Sequence, residues 1–76
     1  MDKNILKQLV RGALEGSAFP LLNKEETEVY LNYLGAHRII AKATYWNRDG
    51  REVLARIIIT NKSPEIDAEI DQILKG

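Results

Sequence analysis

The feature that most constrains this chain is the segment from Ile39 to Ile59. Ile39-Ile40-Ala41-Lys42-Ala43-Thr44-Tyr45-Trp46 runs into Asn47-Arg48-Asp49-Gly50, and Arg51-Glu52-Val53-Leu54-Ala55-Arg56-Ile57-Ile58-Ile59 returns. Two runs rich in β-branched and aromatic residues, separated by a turn sequence that ends in glycine, predict a β-hairpin. Asn47 to Gly50 suits a type I turn with Gly50 in a left-handed bulge position, a common three-residue loop. That turn pairs Asn47 with Arg51, and the register then runs outward. Trp46 meets Glu52, Tyr45 meets Val53, Thr44 meets Leu54 and Ala43 meets Ala55. Lys42 faces Arg56, Ala41 faces Ile57, Ile40 faces Ile58 and Ile39 faces Ile59.

Side chains alternate across a strand, so this register creates two surfaces. One holds Ile39, Ala41, Ala43, Tyr45, Val53, Ala55, Ile57 and Ile59; it is wholly apolar and is the expected core face. The other holds Arg38, Ile40, Lys42, Thr44, Trp46, Glu52, Leu54, Arg56, Ile58 and Thr60. It mixes cations with aliphatic residues and the chain's single tryptophan. Lys42 directly opposite Arg56 costs a few tenths of a kcal/mol to about 1 kcal/mol. Three arrangements relieve it: both side chains bend into water, an acidic helix of the same chain folds nearby, or a partner supplies the anion.

Helices flank the hairpin. In residues 3–15, Ile5, Leu6, Leu9, Val10, Ala13 and Leu14 form one apolar stripe, and Gly16 suits a left-handed cap. The connector Ser17 to Leu22 is apolar and interrupted by Pro20, and it is expected to plug one end of the core. Asn23 and Glu26 have capping-box spacing ahead of a second helix, with Val29, Tyr30, Tyr33 and Leu34 as its buried stripe and Gly35 as its stop. Residues 27–33 are also rich in strand formers; the start and stop signals decide for helix. Ser63-Pro64 opens a third helix whose apolar side is Ile66, Ile70, Ile73 and Leu74. The expected fold is α+β in the order ααββα, one compact domain over residues 1–76, with helices packed on an antiparallel hairpin. The order helix, helix, hairpin resembles part of a winged-helix domain, without an early strand and with an acidic second helix.

A chain of 76 residues buries only about 60% of its unfolded surface, so a homodimer is an expected route to added stability. Edge pairing of two hairpins, or contact of Ile40 with Ile58 across a two-fold axis, would supply it. There is no cysteine and one histidine, so neither disulfides nor a thiolate metal site are expected. No segment reads as a membrane span or signal sequence, which leads to a cytoplasmic expectation, and the sequon Asn61-Lys62-Ser63 is then read as chance. His37 lacks a nucleophile with an orienting partner nearby, so no enzyme, cofactor or metal is expected.

Eleven basic and eleven acidic residues cancel. They are segregated, however. Residues 36–62 hold six cations against Asp49 and Glu52, whereas residues 63–76 hold four acids against Lys75. The expected function is a small regulator, inhibitor or adaptor that binds a protein partner, its surface acidic, through Trp46, Arg48, Arg51, Arg56, Lys42, Arg38, Leu54 and Ile58. Tryptophan and arginine dominate interface hot spots. The alternative is a nucleic-acid-binding regulator, its basic ribbon entering a groove and Trp46 stacking on an unpaired base. Zero net charge counts against that alternative.

Overall fold

The computed structural model describes residues 1–16 and 19–76, so Ser17 and Ala18 of the expected apolar connector lie outside the described residues. Helix α1 spans Lys3–Glu15, α2 Lys24–Ala36 and α3 Pro64–Lys75; strands β1 and β2 span Ala41–Arg48 and Arg51–Ile59. The order is ααββα, as the residue patterns predict, and residues 24–36 are helical despite their strand formers. The helix starts follow from side chains that satisfy orphan backbone donors. Asp2 accepts from the Asn4 and Ile5 amides, Asn23 and Glu26 form both arms of a capping box, and Ser63 accepts from the Ile66 amide.

Two local expectations change. Gly35 does not stop α2. The helix runs one residue further, and Arg38 takes the left-handed conformation with φ of 65°. The Arg38 amide donates to the Gly35 carbonyl and the Ile39 amide to the Leu34 carbonyl, the paired bonds of a Schellman motif. Leu34 and Ile39, the two side chains that meet across this motif, are both almost fully buried. Their contact moves the left-handed cap from Gly35, where glycine alone suggests it, to Arg38. Val29, assigned to the buried stripe, is exposed; Thr27, Tyr30 and Leu34 set the phase of α2 instead.

The hairpin register also differs from the expectation. Asp49 and Gly50 both have positive φ, 51° and 77°, so the loop is a two-residue turn of type I′, closed by the pair Arg48–Arg51. Pairing continues through Asn47–Glu52, Trp46–Val53 and Tyr45–Leu54, then shifts between Thr44 and Tyr45. Ala55 is the extra residue, a β-bulge on β2. Beyond it run Thr44–Arg56, Ala43–Ile57, Lys42–Ile58 and Ala41–Ile59. Leu54 and Ile57 are both buried. Three residues apart, they cannot share one face of a regular strand, and the bulge brings them together.

Helix α1 packs on β2, α2 lies against β1, and α3 packs on α1. Leu6, Leu9 and Val10 of α1, Tyr30 and Leu34 of α2, Leu54 and Ile57 of β2, and Ile66, Ile70 and Ile73 of α3 form one core with Leu22 and Ile39. The connector divides in two: Phe19 and Leu22 pack on this core, whereas Leu21 is exposed. The Leu54 amide donates to the Leu22 carbonyl at 2.8 Å, and Asn23 bridges Val53. An isolated bridge, and no further strand among the described residues, therefore lies along β2.

Candidate interaction face

The helices cover one face of the hairpin and leave the other open. Ala41, Ala43, Tyr45 and Ile59 pack partly buried against the core beside Leu54 and Ile57. Lys42, Thr44, Trp46, Arg56 and Ile58 are exposed. Trp46 keeps 66% of its surface accessible, Ile40 55% and Ile58 38%, so three large apolar side chains of this face remain uncovered.

The structure sorts the predicted face residues unequally. Arg38, Lys42, Trp46, Arg48, Arg51, Arg56 and Ile58 are all exposed. Leu54 is not, being 4% exposed inside the core, so its assignment to the outer face is corrected. The cause is the tip register, one residue away from expectation, which exchanges the roles of Val53 and Leu54. At the base the register is two residues away, and a two-residue shift returns every side chain to the expected face.

Lys42 and Arg56 therefore share a face without standing opposite each other. Lys42 opposes Ile58, and Arg56 opposes Thr44. The directly opposed cations are Arg48 and Arg51, at the tip. None of Arg38, Lys42, Arg48, Arg51, Arg56 and Lys62 forms an ion pair among the described residues. The acidic third helix does not neutralise them: Glu69 Oε2 lies 3.4 Å from His37 Nδ1, at the end of α2. His37 also stacks obliquely on Tyr33, with ring centroids 4.7 Å apart. It ties α2 to α3.

Glu52 is the acid of the hairpin tip with a fixed partner. Its carboxylate lies 3.4 Å from Lys24 Nζ, which in turn sits 5.7 Å from the Tyr45 ring centroid. Burial pushes the Tyr45 phenol above its usual pKa; the Glu28 carboxylate adds to this, and Lys24 partly offsets it. This half-exposed contact lies on the inner side of the hairpin, beside the start of α2.

Asn61 holds the base of the face. Its Nδ2 donates to the Arg38 carbonyl at 2.8 Å, and its Oδ1 accepts from the Ile40 amide at 2.9 Å. The side chain acts as a short extra stretch of strand that keeps the Arg38 turn in place. Sequence reading saw Asn61 only as part of a sequon; the available signal was an asparagine just past a strand, where such side chains bond to backbone. No group of three or more His, Asp or Glu side chains able to hold a metal ion occurs among the described residues, and no helix there is long and apolar enough to cross a membrane. No family profile, curated protein or solved structure is detectably similar to this chain.

Proposed function

We propose that this chain is a non-enzymatic interaction module whose open hairpin face binds a protein partner through an acidic surface. One observation carries the reading: Lys42 and Arg56 share an exposed face with Trp46 and Ile58, and no acid among the described residues pairs with either cation. A solvated lysine and arginine alone would mark nothing, since exposed charges are ordinary. Exposed tryptophan beside unpaired cations is the composition of an interface hot spot. Arg38 supports the same reading. It occupies a left-handed position where glycine costs less, and it keeps a cation at the base of the face.

The hairpin tip favours a second reading. Arg48 and Arg51 oppose each other on an exposed two-residue turn, which suits a phosphate backbone. Salt and a single fluorophore separate the two. Trp46 is the chain's only tryptophan, so its emission reports on the face directly. Titration with a glutamate-rich peptide and with single-stranded and duplex oligonucleotides is expected to shift Trp46 emission with the peptide, with modest salt dependence. A response to oligonucleotide alone, steeply weakened by salt, would replace the protein partner by nucleic acid. A pull-down with and without nuclease, with wild type beside Trp46→Ala/Arg56→Ala, then identifies the natural target. Recovery unaffected by the mutations would remove the site from the hairpin.

A further inference from the structure

The two edges of the hairpin are not equivalent. Along β2, the Leu22 carbonyl and Asn23 already pair with Leu54 and Val53. Along β1, no strand or bridge other than β2 occurs among the described residues. The bulge residue belongs to β2, so β1 is a regular eight-residue strand. The Thr60 amide donates to the Ile40 carbonyl. By the alternation of an antiparallel ladder, Lys42 and Thr44 then bond inward to β2, and the N–H and C=O groups of Ala41 and Ala43 point out from the free edge. An open edge of this kind is a template for another strand.

We propose that the occupant is a second copy of this chain, joined by antiparallel β1–β1 pairing with Ala43 on the two-fold axis. The register is chosen by the side chains. With Ala43 on the axis, Ile40 of each copy lies opposite Trp46 of the other, so the most exposed aliphatic and aromatic groups of the face meet, twice. Lys42 lies opposite Thr44 of the second copy. On the inner face, Tyr45 lies opposite Ala41, a large residue beside a small one. An axis at Lys42 sets two lysines face to face, and an axis at Tyr45 sets Lys42 against Arg48; both place like charges directly opposite. An axis between residues pairs inner with outer positions and is excluded by the pleat. The ladder ends at Ile40, because the left-handed Arg38 turns the chain out of the strand.

The product is a four-stranded sheet with α1 and α2 of both copies on one side. Its other side joins the two outer faces, with the Lys42–Thr44 pairs on either side of the axis, Arg56 beside Thr44 in each copy, and an Ile40–Trp46 pair closing each end. The contact is isologous and closes at two copies. It needs no external partner, so it stands or falls separately from the binding proposal.

Sedimentation equilibrium of the purified chain over a concentration series tests it. The expected result is a species of twice 8.6 kDa, with Trp46 emission moving to shorter wavelength as the dimer fills. Ala43→Pro removes an N–H that points away from β2, so it is expected to leave the monomer folded by circular dichroism and to abolish the dimer. The register is read by cross-linking, since the chain has no native cysteine. Lys42→Cys mixed with Thr44→Cys is expected to form a disulfide dimer, and neither variant alone. A chain that stays monomeric throughout the series overturns the proposal. So does a dimer that survives in folded Ala43→Pro, or cross-linking by Lys42→Cys alone or Thr44→Cys alone. Should Ala43→Pro fail to fold, the cysteine pair still decides.

Discussion

The inner and outer faces of one ribbon, built from alternating residues of the same two strands, differ in almost every physical respect. Leu54 and Ile57 inside are nearly inaccessible, while Trp46 and Ile58 outside keep much of their surface in water. Tyr45 inside packs against the core and is raised in pKa, chiefly by burial; Lys42 and Arg56 outside pair with no acid among the described residues. Neighbouring residues along one strand thus serve opposite ends, the inner one attaching the ribbon to the helices and the outer one presenting it. The inner face should therefore govern stability and the outer face binding, and substitutions on the two should separate cleanly.

The largest effect is expected from Leu54→Ala. Truncating a buried leucine costs roughly 2–5 kcal/mol, against a total stability of about 4–11 kcal/mol for a domain of this size. Urea unfolding should show a large drop in midpoint or no folded baseline. A change below about 0.5 kcal/mol would return Leu54 to the outer face and remove the bulge. Asn61→Ala follows, at about 1 kcal/mol, because two backbone groups lose their partner yet lie close to water. Arg38→Gly should move stability in the opposite direction, by up to about 1 kcal/mol, since glycine adopts the left-handed region without strain. It should weaken acidic-peptide binding at the same time, and stability rising without loss of binding would exclude Arg38 from the face.

On the outer face, Trp46→Ala and Arg56→Ala should each change stability by less than about 0.5 kcal/mol while impairing partner binding. For Arg56 a loss above about 1 kcal/mol would reveal an internal acidic partner. The smallest effect concerns alkaline pH. The raised Tyr45 pKa means that the folded state favours the neutral phenol. Its contribution is complete below the usual tyrosine value, about 10, and is lost as pH rises through the higher folded value. Tyr45→Phe should flatten that alkaline decline and leave stability near neutral pH almost unchanged.

Much of this architecture was legible because its signals are local. Asp2, Asn23 and Ser63 cap helices through bonds spanning a few residues, and the spacing of Leu6, Leu9 and Val10 or Ile66, Ile70 and Ile73 defines a face wherever the helix docks. Strand alternation likewise placed Tyr45 inside and Trp46 outside. The errors sit where several local solutions have similar energies. Asn47-Arg48-Asp49-Gly50 suits a three-residue loop and a two-residue loop alike, and the choice moves every pair beyond it. Val53 or Leu54 can each face inward, and only the demand to bury the larger side chain together with Ile57 selects the bulge at Ala55.

By itself, then, the amino-acid order determined which segments become helix or strand, where helices begin, and that cations gather on the hairpin beside the single tryptophan. Those properties rest on backbone sterics and short-range hydrogen bonds, which act before distant parts of the chain meet. Tertiary structure decided the register, the depth of Leu54, the stop of α2 at the Leu34–Ile39 contact, the turn of Arg38 secured by Asn61, and which edge of the hairpin is open. Each of these depends on residues far apart in sequence competing for one enclosed volume or one backbone group, and only the folded chain brings such competitors together.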